Sequence, residues 1–131
     1  SIRENTRGIP VMKLLLQPLV ENAVYHGLEP KTGPGTLFIG ARLEKGDLLI
    51  SIYDDGVGMP SGRLAALQEE LERPASGKAE TAHIGLLNVQ HRIRLRYGMP
   101  YGLTLHSTPG GGTRVTVRVP AQIQEEENEL C

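Results

Sequence analysis

The chain has 131 residues, of which 39% are hydrophobic and 4% aromatic, and its formal net charge is −1. This length and composition predict one soluble domain that buries a real core, and they exclude collagen, a coiled coil and a disordered chain. No apolar run is long enough to span a bilayer, and no basic-then-apolar leader opens the sequence. A near-neutral charge and few aromatic side chains also argue against a nucleic-acid binder.

The cysteine and histidine content argues against a disulfide framework or a structural metal site. Cys131 is the lone cysteine, and the four histidines are scattered. Neither an internal disulfide nor the ligand spacing of a zinc site is therefore available, and a reducing, cytoplasmic setting is expected. Because the sequence opens with Ser1 and not with Met, we also expect it to be part of a larger protein.

The first predicted element is a long amphipathic helix. Apolar residues recur at helical spacing from Pro10 to His26, and Gly27 is the predicted end of the helix. Pro18 lies inside this pattern, where it removes a backbone donor. We therefore expect the helix to kink or restart at that residue.

Two pairs of alternating segments predict antiparallel hairpins. In the first pair, residues 37–43 alternate like a half-buried strand and are followed by residues 48–53. The alternation places Asp54 on the core side. The second hairpin joins residues 102–107 to residues 113–119 around a glycine-rich turn.

The segment between the hairpins contains helical and irregular stretches. Residues 61–71 have a possible helical pattern, and residues 86–97 have a strong one. The small, polar residues 73–82 are predicted to be a mobile connector. The order of elements predicts an α+β fold, a two-layer sandwich with helices on one face of an antiparallel sheet. We expect one domain with a core at about residues 9–120 and an acidic tail at 121–131.

Asn22 is a polar residue that the fold alone does not explain. It lies on the apolar stripe of the first helix, three residues after Leu19. A buried amide must find partners, and two interpretations stay open. It is either hydrogen-bonded to nearby backbone or an oxygen ligand for Mg²⁺.

Asp54 is a second anomaly, because it shares a strand face with Ile50 and Ile52. A carboxylate is costly to bury there without a donor. An adenine amino group fits as that donor, and Gly56 and Gly58 would permit close approach. An ordinary Asp-Gly turn is the alternative.

Glycines also precede the second long helix and the last strand. Gly85 would let a phosphate reach the unpaired N–H groups at a helix start, although a flexible joint is the simpler interpretation. The glycine-rich turn before Thr113 needs no ligand at all.

Four segments in combination resemble the N, G1, G2 and G3 boxes of the GHKL ATP-binding superfamily. They are LLLQPLVENAVYHG, DDGVGMP, IGLLNVQHRIRLRYG and GGGTRVTVRVP, and the likeness spans about residues 9–120. The first and third segments are similar to those of LytS/YesM-like bacterial sensor histidine kinases. The resemblance implies the Bergerat fold, an α+β sandwich with a mixed, mostly antiparallel sheet, and binding of ATP with Mg²⁺.

The resemblance also implies roles for individual residues. Asn22 would hold Mg²⁺ and act as the catalytic residue, and Asp54 would receive the adenine amino group. Gly56 and Gly58 would shape the pocket floor, and residues 61–82 would form a lid. The other implied nucleotide contacts are Met59 and Thr113 beside the base, Gly85, Leu86 and Leu87 at the phosphates, and His26.

Three positions depart from the family pattern. Pro18 stands where members that hydrolyse ATP carry a water-activating Glu, so water activation is not supported. Tyr25 replaces a basic residue found near the phosphates in many kinases. His83 replaces a glycine that often precedes Gly85 by two residues.

The implied function is the ATP-binding catalytic domain of a sensor histidine kinase. It would donate the γ-phosphoryl group to a histidine on a separate upstream dimerisation domain, with a response regulator downstream and a membrane-bound parent protein. We expect no contact of this domain with nucleic acid or membrane. No histidine of this chain has the surroundings of the family's acceptor, so little self-phosphorylation is expected.

Other functions stay open at this point. Tyr25 and His83 motivate a regulatory module in which ATP binding controls partner docking without phosphoryl transfer. Another GHKL ATPase and a plain interaction domain are further alternatives, and the interaction domain predicts no nucleotide binding.

Overall fold

The computed structural model describes residues 9–73 and 83–121, with side chains from Leu15 onward. Residues 74–82 of the predicted lid and 122–131 of the predicted tail lie outside the described residues. In chain order the elements are α1 (Ile9–Asn22), a π-helical segment (Ala23–Leu28), β1 (Leu37–Glu44), β2 (Asp47–Asp54), α2 (Ser61–Glu72), α3 (Ile84–Tyr97), β3 (Gly102–Ser107) and β4 (Thr113–Pro120).

The four strands form an antiparallel sheet in the order β1-β2-β4-β3. Both predicted hairpins are confirmed, and β2 joins them by pairing with β4. The register places Asp54 opposite Thr113, and Thr113 opposite Ser107. Polar residues of three strands therefore lie side by side at one end of the sheet.

Helices cover one face of this sheet, as the predicted two-layer sandwich requires. Helix α3 packs against α1, α2, β3 and β4. The shared core is built from alternate strand residues and the apolar helix stripes, and burial of each such side chain stabilises the fold by about 1.5–3 kcal/mol. Its fully buried members include Leu19, Ile50, Ile52, Leu86, Val89, Ile93, Leu105, Val117 and Val119.

Strand β1 differs from its prediction as a half-buried strand. Ile39 is 53% exposed and Leu43 is 72% exposed, although both lie on the face that is buried in β2. The strand is at the edge of the sheet and packs mainly against β2. The alternation therefore identified a shared face correctly, but the helical layer does not extend over it.

The first helix also differs from its prediction. Helix α1 continues through Pro18 to Asn22, so the predicted restart at the proline is wrong. The regular helix instead changes to a π-helical segment at Ala23, which ends one residue beyond Gly27. Such wide turns are rare and occur frequently at functional sites.

The described half of the predicted lid is a packed helix. Leu67 and Leu71 of α2 belong to the core, and the Gln68 side chain donates to the Leu105 carbonyl at 3.1 Å. Loosely held chain is therefore not expected over Ser61–Glu72. Among the described helices, none is both long and apolar enough to cross a bilayer.

Candidate functional site

Asp54 ends β2 with its carboxylate on the buried face. The residue is 2% exposed, and the Gly56 amide donates to its Oδ1 at 3.0 Å. Burial raises the pKa of this carboxyl above its usual value, while the backbone amides of Gly56 and Thr113 oppose the rise. A carboxylate has lone pairs for several donors, so Asp54 can accept a further N–H group.

Close backbone contacts surround this carboxylate. A Cβ at Gly27 would lie 2.4 Å from Asp54 Oδ1, and one at Gly56 would lie 2.0 Å from the Gly27 carbonyl oxygen. The Val57 amide also donates to that carbonyl, at 3.0 Å. The π-helical segment and the loop after β2 therefore touch through atoms that only glycine exposes.

A second pair of glycines holds the same loop against the turn before β4. Gly58 has a φ of +69°, and a Cβ there would meet the Thr108 carbonyl oxygen at 1.8 Å. Gly112 has a φ of +82°, and its Cβ would lie 2.0 Å from the Asp54 carbonyl oxygen. The turn that was expected to need no ligand thus needs its last glycine for packing against Asp54.

Ser107 organises the two predicted base-side residues, and sequence reasoning missed it. The Met59 amide donates to Ser107 Oγ at 2.9 Å, and Ser107 Oγ donates to the Gly112 carbonyl at 2.8 Å. Because its one proton is used in this way, Ser107 accepts from the Thr113 hydroxyl, which lies at 2.8 Å. The sequence signal was its hairpin position opposite Thr113.

Asn22 is the last residue of α1, and its side chain contacts His83. Asn22 Oδ1 is 3.0 Å from His83 Nδ1, which joins the end of α1 to the residue before α3. Asn22 is half-buried, not fully buried as its stripe position predicted. The His26 ring lies tilted on the His83 ring, with their centroids 4.1 Å apart.

His83 is 9% exposed, and its Nε2 is buried without a hydrogen-bond partner among the described residues. Burial lowers the pKa of His83 to about 4, with smaller contributions from the charges of His26 and Arg63. Burial and Arg63 also lower the pKa of His26. Arg63 of α2 is therefore a cation near His26 and His83. The sequence alone did not indicate it.

The start of α3 is partly closed by its own hydrogen bonds. The Leu86 and Leu87 amides donate to the His83 carbonyl at 3.0 and 3.2 Å. These are two of the amides predicted to receive phosphate, so contact with them would require this turn to open. Gly85 lies at the helix start, and a Cβ at this residue would be 3.4 Å from the Pro18 carbonyl oxygen.

Most of the predicted site residues fall into two groups, and the remaining three, Gly85, Leu86 and Leu87, lie at the start of α3. We call the group of Asp54, Gly56, Gly58, Met59 and Thr113 the acid end, and the group of Asn22, His26 and His83 the amide end. The π-helical segment joins them, because Gly27 contacts Asp54 while the adjacent His26 contacts His83. Within the described part of the chain, no cluster of three or more His, Cys, Asp or Glu could hold a metal ion.

The family model described as histidine kinase-, DNA gyrase B- and HSP90-like ATPase matches residues 2–123. The chain belongs to this family. Its similar relatives include the sensor histidine kinase YesM of Bacillus subtilis, at 39% identity over 93% of this chain. The sensor protein kinase HptS of Staphylococcus aureus is 29% identical over 89% of this chain.

The chain spans only about a fifth of these relatives, 19% of YesM and 22% of HptS. A solved structure with the same fold is the histidine kinase domain of the blue-light activated histidine kinase of Erythrobacter litoralis. It has a TM-score of 0.55 at 20% identity, over 88% of this chain and 46% of that one.

Proposed function

We propose that this chain binds ATP with Mg²⁺ and donates the γ-phosphoryl group to a histidine on a separate, upstream helical dimerisation domain of the same protein. The observation that carries the proposal is Asp54, a buried carboxylate enclosed by glycines. The adjacent residues His26 and Gly27 connect it to the amide end. The family match and the sensor kinase relatives support the same function.

Asp54 would select the base. Its carboxylate accepts the N–H group of the adenine amino substituent, whereas guanine carries a carbonyl oxygen at that ring position. An oxygen facing a buried carboxylate would be repelled and unpaired, so the acid end favours ATP over GTP. Met59 and Thr113, both held by Ser107, would complete the walls beside the base.

The amide end suits a hard cation. Mg²⁺ usually takes one or two protein oxygens and completes its shell with phosphate and water, and Asn22 Oδ1 is one such oxygen. When bound, the cation would neutralise charge on the phosphates. Arg63 and the start of α3 near Gly85 would add positive potential on the same side.

Phosphoryl transfer would then require alignment more than covalent help. A neutral imidazole nitrogen of the acceptor forms a bond to the γ-phosphorus with its lone pair. The bond from that phosphorus to the β,γ-bridging oxygen breaks, and ADP leaves with the electron pair. No base is needed to activate the imidazole, in agreement with Pro18 at the position of the water-activating Glu.

The wider setting is part of the proposal. The domain would work in the cytoplasm as one piece of a membrane-bound sensor, and a response regulator would take the phosphoryl group from the acceptor histidine. Contact of this domain with nucleic acid is not expected, given its net charge of −1.

The test uses ATP labelled at the γ-phosphorus, incubated with this chain alone and with a longer chain that includes the helical domain. We expect acid-labile label on the longer chain and little on this one. Asn22→Ala in the longer chain should abolish the labelling. Strong label on the isolated chain, or none on the longer chain despite tight ATP binding, contradicts phosphoryl transfer to an upstream histidine.

A regulatory module without transfer is the second candidate. The contact between Asn22 and His83 favours it, because it ties the predicted Mg²⁺ ligand to a side chain where many kinases have glycine. This module would bind ATP tightly and leave the acceptor histidine unlabelled in the same experiment.

A further inference from the structure

His83 belongs to the amide end, where it contacts Asn22 and His26, but the proposed function gives it no role. It is the residue before α3, and its backbone is fixed because its carbonyl accepts from the Leu86 and Leu87 amides. Its ring is buried and lies against His26. The ring therefore has little freedom to turn away from Asn22.

The hydrogen bond between the two side chains defines how each is arranged. An amide oxygen only accepts hydrogen bonds, so with Asn22 Oδ1 at 3.0 Å the proton of the uncharged ring lies on His83 Nδ1. The other ring nitrogen, Nε2, then carries a lone pair and no proton. That nitrogen is the buried atom without a partner, so this tautomer leaves no N–H donor unpaired in the interior.

We propose that His83 is a positioning residue for Asn22, which it holds through an Nδ1–H···Oδ1 hydrogen bond so that the amide oxygen faces a bound cation in one fixed orientation. An amide oxygen has two lone pairs, so one accepts from His83 while the other stays available. Donors behind a metal ligand typically change metal affinity by about 10–100-fold. The inference rests on the proposed Mg²⁺ role of Asn22.

The alternative arrangement makes a distinct prediction. If the amide were rotated, its NH₂ group would face His83 and the ring would accept at Nδ1. The proton would then lie on Nε2, buried and unpaired. Asn22 would present its oxygen elsewhere, and the histidine would have no influence on a cation at that oxygen.

Two isosteric substitutions of His83 distinguish the roles of its two ring nitrogens. The side-chain nitrogen of Asn takes the place of His Nδ1, whereas that of Gln reaches the place of Nε2. We expect His83→Asn to bind Mg²⁺-ATP within about threefold of the parent, and His83→Gln and His83→Ala to lose about tenfold or more. Titration calorimetry with ATP in EDTA should give nearly equal affinities for all of them.

His91→Ala is the matched control, because His91 is an exposed histidine on α3. This substitution should change neither the affinity for ATP with Mg²⁺ nor the affinity for ATP in EDTA. Equal losses with and without Mg²⁺ would indicate a merely structural role and overturn the inference. Equal affinities of His83→Asn and His83→Gln would do the same. If the parent shows no Mg²⁺-dependent ATP binding, the proposed function itself fails.

A second measurement needs neither nucleotide nor a variant that folds. Long-range nitrogen–proton correlation spectra of the unmodified chain report which nitrogen of each imidazole is protonated. We expect the Nδ1–H tautomer for His83. The Nε2–H tautomer would overturn the inference even if ATP binding is normal.

Discussion

The acid end and the amide end of the candidate site are held in different ways. Asp54 is surrounded by main chain, with Gly27, Gly56 and Gly112 each in a contact that leaves no room for a Cβ. Asn22 is instead held by a side-chain hydrogen bond with His83. A site fixed by backbone tolerates few residue types, whereas one fixed by side chains can be changed by a single substitution.

The largest expected effect is on stability, at the acid end, which is held by main-chain contacts. Gly58→Ala should destabilise the fold by at least about 3 kcal/mol, because a left-handed φ is unfavourable with a Cβ and the Thr108 carbonyl oxygen would lie only 1.8 Å away. Urea unfolding measures the change in the free energy of unfolding.

Gly85→Ala is the matched control for that substitution. Its Cβ would approach no atom closer than 3.4 Å, and alanine is the better helix former, so the free energy of unfolding should stay the same or rise slightly. Equal stability of the two variants would mean that the contacts around Gly58 do not constrain the acid end.

The second expected effect is on nucleotide selectivity. Asp54→Asn keeps the size of the side chain but replaces an acceptor oxygen by a donor NH₂. ATP affinity should fall on the order of 100-fold, because the variant loses a charge-assisted hydrogen bond and presents a donor to the adenine amino group. The preference for ATP over GTP should disappear. Calorimetry with both nucleotides measures this.

Asp55→Asn provides the comparison at the next residue. Asp55 accepts from the Thr36 amide at 2.7 Å and pairs with Lys31 at 3.2 Å, away from the buried face. Its substitution should leave ATP selectivity intact. Loss of selectivity in both variants would show that the effect does not depend on the buried position of Asp54.

The smallest expected effect concerns acid stability at the amide end. With its pKa lowered to about 4, His83 binds a proton more readily in the unfolded chain than in the folded one. The free energy of unfolding should therefore decrease as pH falls from about 6.5 to about 4, by on the order of 2 kcal/mol. The lowered pKa of His26 acts in the same direction.

His83→Asn should flatten this part of the stability curve, since it removes the titrating ring while keeping a donor for Asn22. Unfolding midpoints at a series of pH values test it. A slope unchanged by the substitution would assign the acid sensitivity to other groups.

The contrast between main-chain and side-chain contacts also explains which features of the fold and the site could be predicted from the sequence. Strand periodicity placed the hairpin strands within about a residue, and it put Asp54 correctly on the buried face. Buried strands are predictable because alternation is a local property. The exposure of Ile39 was missed because it depends on how far the helical layer extends.

The site was predicted less completely than the fold. The glycines of the acid end were found because their residue type is itself a signal. Ser107 and Arg63 were missed, since their importance comes from partners far along the chain. His83 was noticed only as a departure, and its contact with Asn22 required the structure.

One peptide bond joins His26, which contacts His83, to Gly27, which contacts Asp54. Consecutive α-carbons are about 3.8 Å apart across a trans peptide, so the backbone positions from which these two contacts are made have a fixed separation. An added residue at this point would pull either Gly27 from Asp54 or His26 from His83. Length variation should therefore be far less tolerated here than in surface connections, even if the inserted residue were small.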